Sequence, residues 1–248
     1  SLAEADLHSI QTSGNCIRNI TSDPFAGVAE DEIIDPRPYC EVIRQWSFGH
    51  PEFAYLPRKF KIAISGSTED RAITQAHDIG LRLKVDKQQG IGFQVIVGGG
   101  LGRTPVIGST LASFIPEQDI LDYLTAILRV YNQHGRRDNK YKARIKILVK
   151  SIGIDAFKQQ VEQELVHVLT DSQKLSSAQI TAVKAHFPQP NYLPFKETAL
   201  AQIEAIKADN TAFSNWFKRN TLKHKVDGYR AVTLSLKKAS SAPGDVTA

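Results

Sequence analysis

The chain has 248 residues, of which 42% are hydrophobic and 23% charged, with a formal net charge of +5 and two cysteines. That length can bury a substantial core, and no apolar run approaches the roughly 20 residues of a membrane helix, so a helical membrane span is excluded. Two cysteines are too few for a disulfide scaffold or a four-cysteine metal site; no metal-ligand set is expected, and a reducing cytoplasm is the expected compartment.

A surplus of lysine and arginine favours an anionic partner without saying which. Ser1 and the complete lack of methionine predict a piece of a longer protein or a processed one. No charged segment followed by an apolar one opens the chain, so no secretory signal is expected.

In chain order, Leu2, Leu7 and Ile10 have loosely helical spacing, broken by the turn Thr12-Ser13-Gly14-Asn15. A helix is predicted to resume at Cys16. Residues 23–39, with Pro24, Gly27, Pro36 and Pro38, read as loop, and residues 41–48 as a short helix. From Phe60 the chain alternates: Phe60, Ile62 and Ile64 face one way and Lys59, Lys61 and Ala63 the other, the period-two pattern of a strand.

A second strand over 93–97 runs into Gly98-Gly99-Gly100. Pro116 suits a first helical position, with Ile120, Leu124, Ile127 and Tyr131 marking one face of a helix that ends near Gly135. Further helices are predicted over 140–150 and around 157–168. Pro188, Pro190 and Pro194 punctuate a loop, a third strand is predicted over 231–236, and a small-residue tail covers 239–248.

Three segments carry candidate chemistry. A strand places Lys59 and Lys61 on one face, roughly 6 to 7 Å apart, where two ammonium groups can hold an anion between them or deliver protons. The plainer reading of the same pair is a solvated strand face. Arg18, taken to lie about one turn into the helix after Asn15, offers a planar fork of donors to an oxyanion, although a lone helical arginine is ordinarily a surface residue. The turn Val97-Gly98-Gly99-Gly100-Leu101-Gly102-Arg103-Thr104-Pro105 follows a strand; without β-carbons its backbone can approach a ligand and aim N–H groups at carboxylate or phosphate oxygens. It lacks both the dinucleotide-binding and the P-loop spacing.

These segments, with Asn139-Lys140-Tyr141-Lys142-Ala143-Arg144 and then Trp216, Asn220, Lys225 and Gly228-Tyr229-Arg230-Ala231-Val232-Thr233-Leu234-Ser235-Leu236, resemble the nitrite and sulfite reductases that couple sirohaem to a four-iron four-sulfur cluster. The resemblance implies a six-electron reduction of sulfite to sulfide or nitrite to ammonia, with ferredoxin or a flavoprotein as electron donor. It implies that Arg18, Lys59 and Lys61 face the bound anion as catalytic groups. Sirohaem carboxylates would fall to Arg58, Asn15, Gly98, Gly99, Gly100, Gly102 and Arg103. Lys142 and Arg144 are read as part of a basic helix that either serves the cofactor or is merely solvated.

Cys16 and Cys40 do not match the two close cysteine pairs that hold the cluster in that family. They read as structural thiols, and the chain by itself is expected to be inactive. The expected fold is α+β: a mixed or antiparallel sheet with packed helices over 1–227, then the incomplete start of a second, ferredoxin-like half-domain over 228–248 whose strand would have an unpaired edge. The competing functional reading is a basic nucleotide- or RNA-binding module built on the glycine-rich turn; nucleic acid is not the expected partner, because Phe25, Trp46 and Phe53 form no evident stacking platform.

Overall fold

The computed structural model describes residues 2–5, 7–172, 174–194, 197–237 and 240–242, so most of the tail expected over 239–248 lies outside the described residues. The backbone forms two compact units, one of Ser1–Gly27 with Ile33–Gln189 and one of Val28–Glu32 with Pro190–Ala248.

The first unit is built on a five-stranded sheet of β1 (Ile17–Ser22), β2 (Phe60–Ser65), β3 (Ile79–Asp86), β4 (Gly90–Val97) and β5 (Ser109–Pro116), in that spatial order. β1, β2 and β3 run parallel, while β3, β4 and β5 are antiparallel neighbours, which makes the sheet mixed. Phe60, Ile62, Ala63 and Ile64 are all fully buried, as a strand covered on both faces requires. The β3–β4 hairpin closes where Asp86 accepts hydrogen bonds from the Gln88 and Gln89 amides at 2.8 and 2.9 Å, and Gly90 takes the left-handed conformation the turn needs.

α1 (Arg37–Ser47) packs beside β1, and α2 (Ile120–His134) packs with α3 (Ile145–Ile152) and α4 (Ile154–Val168). α2 is buried almost all round, and Tyr131 at its end lies 5.4 Å from the Phe60 ring. α5 (Ser177–Lys184) starts in a capping box between Ser176 and Gln179 and leans on α1.

In the second unit, α6 (Glu197–Asp209) and α7 (Thr211–Asn220) are followed by a two-stranded ribbon of β6 (Thr221–Lys223) and β7 (Arg230–Val232). The Asn210 side chain caps α7 by accepting from the Phe213 amide at 2.9 Å. Tyr192, His224 and Tyr229 form a small aromatic cluster, and Lys225 pairs with Glu32 at 3.1 Å.

Several local expectations are corrected. The segment after Cys16 is a strand: Ile17, Ile20 and Thr21 are β-branched, and pairing with β2 outweighs a weak helical preference. Among the described residues of the first eleven, only Ala3–Ala5 form a turn of helix, with Leu2, Leu7 and Ile10 more than half exposed. α1 starts earlier than predicted because Pro36 and Pro38 sit where a helix begins rather than in a loop.

Residues 140–144 are not helical. Asn139 caps a turn there by accepting from the Tyr141 and Lys142 amides, at its side chain and its carbonyl respectively, both at 2.9 Å. The basic helix read through Lys142 and Arg144 is therefore absent, and α3 begins only at Ile145. The strand expected over 231–236 is limited to Arg230–Val232 and pairs with β6, so its ladder is not orphaned. The backbone of the two compact units divides between Gln189 and Pro190.

Candidate functional site

The parallel start of the sheet brings two of the sequence segments together. The Leu56 amide donates to the Asn15 carbonyl at 2.8 Å and the Phe60 amide to the Cys16 carbonyl at 2.9 Å, so residues 15–17 run alongside 56–60. The register then slips: Ile17 pairs with Phe60 but Asn19 with Lys61, which leaves Arg18 as the extra residue of a β-bulge. Bulges of this kind re-aim side chains and are common beside functional sites.

Lys59 and Lys61 flank Phe60, both half-buried, and Phe60 itself is anchored in the core. Lys59 stands among several other cations. Its ammonium is held below its ordinary pKa first by burial and then by repulsion from Lys61, Arg144, Arg18 and Arg58.

A cavity of about 330 Å³ is lined by Arg58, Lys59, Arg103, Lys140, Arg144 and Lys146, with Tyr141 at its side. Lys61 and Arg18 do not line it. Arg18 instead borders a second hollow of about 460 Å³ shared with α1, where its Nε donates to the Gly14 carbonyl at 2.9 Å. Asn15 is exposed, and Lys142 is exposed outside the cation cavity.

Much of the glycine-rich turn is bonded and packed within the fold. Gly98 and Gly100 are buried, and their amides are engaged internally: Gly98 donates to the Asp78 carbonyl at 3.0 Å and Gly100 to the Val106 carbonyl at 2.9 Å. A β-carbon at Gly99 would meet the Gln75 carbonyl oxygen at 2.1 Å, so this glycine answers to packing. Gly98 and Gly102 both take positive φ, but Gly102 faces open space. The part of the turn that faces the cavity is its far end, Leu101, Arg103 and Thr104. That end is clamped by Lys146, whose Nζ donates to the Leu101 and Thr104 carbonyls at 3.1 and 2.6 Å.

The sequence reading missed two residues. Lys146, at the start of α3, reads as an ordinary helical lysine, yet it is buried. Asp78, fully buried just before β3, accepts from both Arg144 Nε and a terminal Arg144 nitrogen at 2.8 Å and from the Lys61 amide at 2.9 Å. The only signal for Asp78 was a carboxylate directly ahead of an apolar strand.

The cavity suits a ligand with several carboxylates. Among the described residues, Arg58, Lys59 and Arg103 have no ion pair, and Asp78 is committed to Arg144. A cluster of uncompensated cations is stabilised when anions occupy it.

The cysteines do not suit an iron–sulfur cluster. There are two of them, Cys16 and Cys40, where four thiolates hold a four-iron cluster, and burial raises the pKa of the first and pushes that of the second up to about 12. Among the described residues no group of three or more His, Cys, Asp or Glu side chains could hold a metal ion. No described helix is long and apolar enough to cross a membrane.

Comparison with known proteins adds an independent line. Residues 13–169 match the family described as nitrite and sulphite reductase 4Fe-4S domain. "Sulfite reductase [ferredoxin] 1" of Mycolicibacterium paratuberculosis is 34% identical over 166 residues, covering 67% of this chain and 30% of that protein. The ferredoxin–nitrite reductase of Leptolyngbya laminosa is 35% identical over 171 residues, covering 67% of this chain and 33% of its own length. The solved structure of the Mycobacterium tuberculosis NirA protein superposes with a TM-score of 0.59 at 31% identity, over 67% of this chain and 30% of that one. The chain thus spans about a third of the length of these relatives, and it belongs to the nitrite and sulphite reductase 4Fe-4S domain family.

Proposed function

We propose that the first unit supplies a cationic wall for sirohaem and for a small oxyanion, sulfite or nitrite, in a reductase that uses ferredoxin or a flavoprotein as electron donor. The observation that carries this reading is the cavity of uncompensated cations at Lys59, Arg58 and Arg103, reached by the family motifs from three separate stretches of chain. The relatives named for ferredoxin favour that donor. The cytoplasm as the place of action belongs to the same proposal.

In this reading Arg58, Arg103, Lys140 and Arg144 would hold cofactor carboxylates, and Asn15 and the outer end of the glycine-rich turn, at Gly102, would border the macrocycle. Gly98, Gly99 and Gly100 would shape that turn from beneath rather than donate to the ligand. When bound, sirohaem supplies the iron and the electron-rich ring on which a six-electron reduction takes place. The protein's part is binding, electrostatics and proton supply. Lys59, with its lowered pKa, is a stronger acid than a solvated lysine and is suited to protonate a departing oxygen. Lys61 and the bulged Arg18 lie outside the cavity lining, and in this reading they would act on the anion through their charge alone.

The cluster does not fit this chain, which has two cysteines where four are needed; the chain alone is proposed to be inactive as a reductase. In the longer enzyme, Lys59→Ala and Lys61→Ala would lower turnover while leaving tetrapyrrole content in place.

The reading is tested by titrating sirohaem into the 248-residue chain. A Soret shift that saturates, and an affinity that falls steeply with salt, is the expected result. No spectral change, or preferential retention of ATP or an RNA oligonucleotide under the same conditions, would replace the tetrapyrrole with a nucleotide reading.

A further inference from the structure

We infer that Asp78 is the positioning residue of the cation cavity, fixing Arg144 in the orientation in which it meets a polycarboxylated ligand; this rests on the tetrapyrrole reading above. Four elements converge on this one residue. Its carboxylate accepts the Arg144 fork, with Nε to Oδ1 and a terminal nitrogen to Oδ2, both at 2.8 Å. The same Oδ2 accepts the Lys61 amide at 2.9 Å, at the point where the parallel β2–β3 ladder begins at Ile62 and Ile79. Its backbone carbonyl accepts the Gly98 amide at 3.0 Å, which ties in the root of the glycine-rich turn.

Asp78 therefore joins β2, the start of β3, the turn and the residue that precedes α3. It is fully buried, whereas the Arg144 side chain keeps 18% of its surface exposed and reaches the cavity lining. A carboxylate with no solvent contact cannot itself touch a ligand there. What it can do is hold a guanidinium at the cavity wall with its remaining donors directed by a two-point grip, a geometry that an arginine fork permits and a lysine does not. It also fixes the backbone from which the Lys61 side chain leaves.

The sign of the effect separates positioning from mere charge. Asp78 is an anion beside an anion site, so if it acted only as a charge, Asp78→Asn would tighten binding of a polyanion. If it positions Arg144, the same change weakens binding, because an asparagine NH2 opposes the guanidinium donors and frees the arginine.

The test uses uroporphyrin, a fluorescent polycarboxylated porphyrin without metal, titrated into the full chain. Asp78→Asn is expected to weaken binding by about tenfold or more, corresponding to at least about 1.4 kcal/mol. Arg144→Lys, which keeps the charge and lowers the risk of misfolding, is expected to weaken it several-fold. Tighter binding by Asp78→Asn, or wild-type affinity in Arg144→Lys, overturns the inference.

A measurement independent of any ligand accompanies it: in the free wild-type chain the Arg144 Nε–H NMR signal is expected to be protected from solvent exchange, and an unprotected signal overturns the inference by itself. Failure of the wild-type chain to bind uroporphyrin overturns the tetrapyrrole reading instead, and the positioning of Arg144 is then decided by that signal alone.

Discussion

Two groups of cations lie on the first unit, and their surroundings differ. Beside α1, Arg37 pairs with Asp35 at 2.7 Å and Arg44 with Glu41 at 2.7 Å, each a local partner on the same stretch of chain. Around the other cavity, Arg58, Lys59 and Arg103 have no such partner among the described residues, and the one buried carboxylate is engaged by Arg144. Local pairing makes a cation part of the scaffold, whereas cations left to repel one another mark a place where the anion is to be supplied from outside. A count of positive charge could not distinguish them.

The largest effect is expected at the clamp. Lys146→Met would leave the Leu101 and Thr104 carbonyls without their buried donor and cost about 1 to 3 kcal/mol of stability. Thermal unfolding would record that loss, and hydrogen exchange would report faster opening of the turn. An unchanged melting point would mean that the turn holds itself and that its approach to the cavity owes nothing to Lys146.

A second effect is in the pH dependence. Because the folded chain holds the Lys59 pKa below its ordinary value of 10.5, anion binding should weaken as pH rises through that lowered value. Folding stability has the opposite slope from this group: between the lowered pKa and 10.5 the unfolded chain binds more protons, so Lys59 adds stability as pH rises. Parallel slopes for binding and stability would remove Lys59 from the centre of the site.

The smallest effect is expected on the other side of the comparison. Arg44→Ala breaks an exposed pair spaced three residues apart on α1 and should cost no more than about 0.5 kcal/mol. Tetrapyrrole affinity should not change with it. A loss of affinity equal to that of a cavity arginine would erase the distinction drawn here.

Much of this site was legible in the sequence, for reasons that can be stated residue by residue. The alternation from Lys59 to Lys61 survives at the start of β2, where Phe60 is buried between two half-buried lysines, whereas from Ile62 onward both faces are covered. Arg18 was placed on the wrong element because a strand that pairs in parallel with a partner more than forty residues away has no local signature, and a bulge still less. The glycines were assigned to a ligand, yet Gly99 is required by the Gln75 carbonyl against which it packs. Such a contact comes from tertiary approach and leaves no mark on spacing. Asp78 and Lys146 were missed for the same reason: each matters through partners distant in the chain, Arg144 for the first and the Leu101 and Thr104 carbonyls for the second.

Where the anion binds is tested most directly by differential lysine labelling. The chain is acylated with and without saturating uroporphyrin, and each lysine is quantified by mass spectrometry. Protection concentrated at Lys59 and Lys140, with Lys158 and Lys223 unchanged, is the predicted pattern. Equal protection across all four, or none at Lys59, would contradict the account.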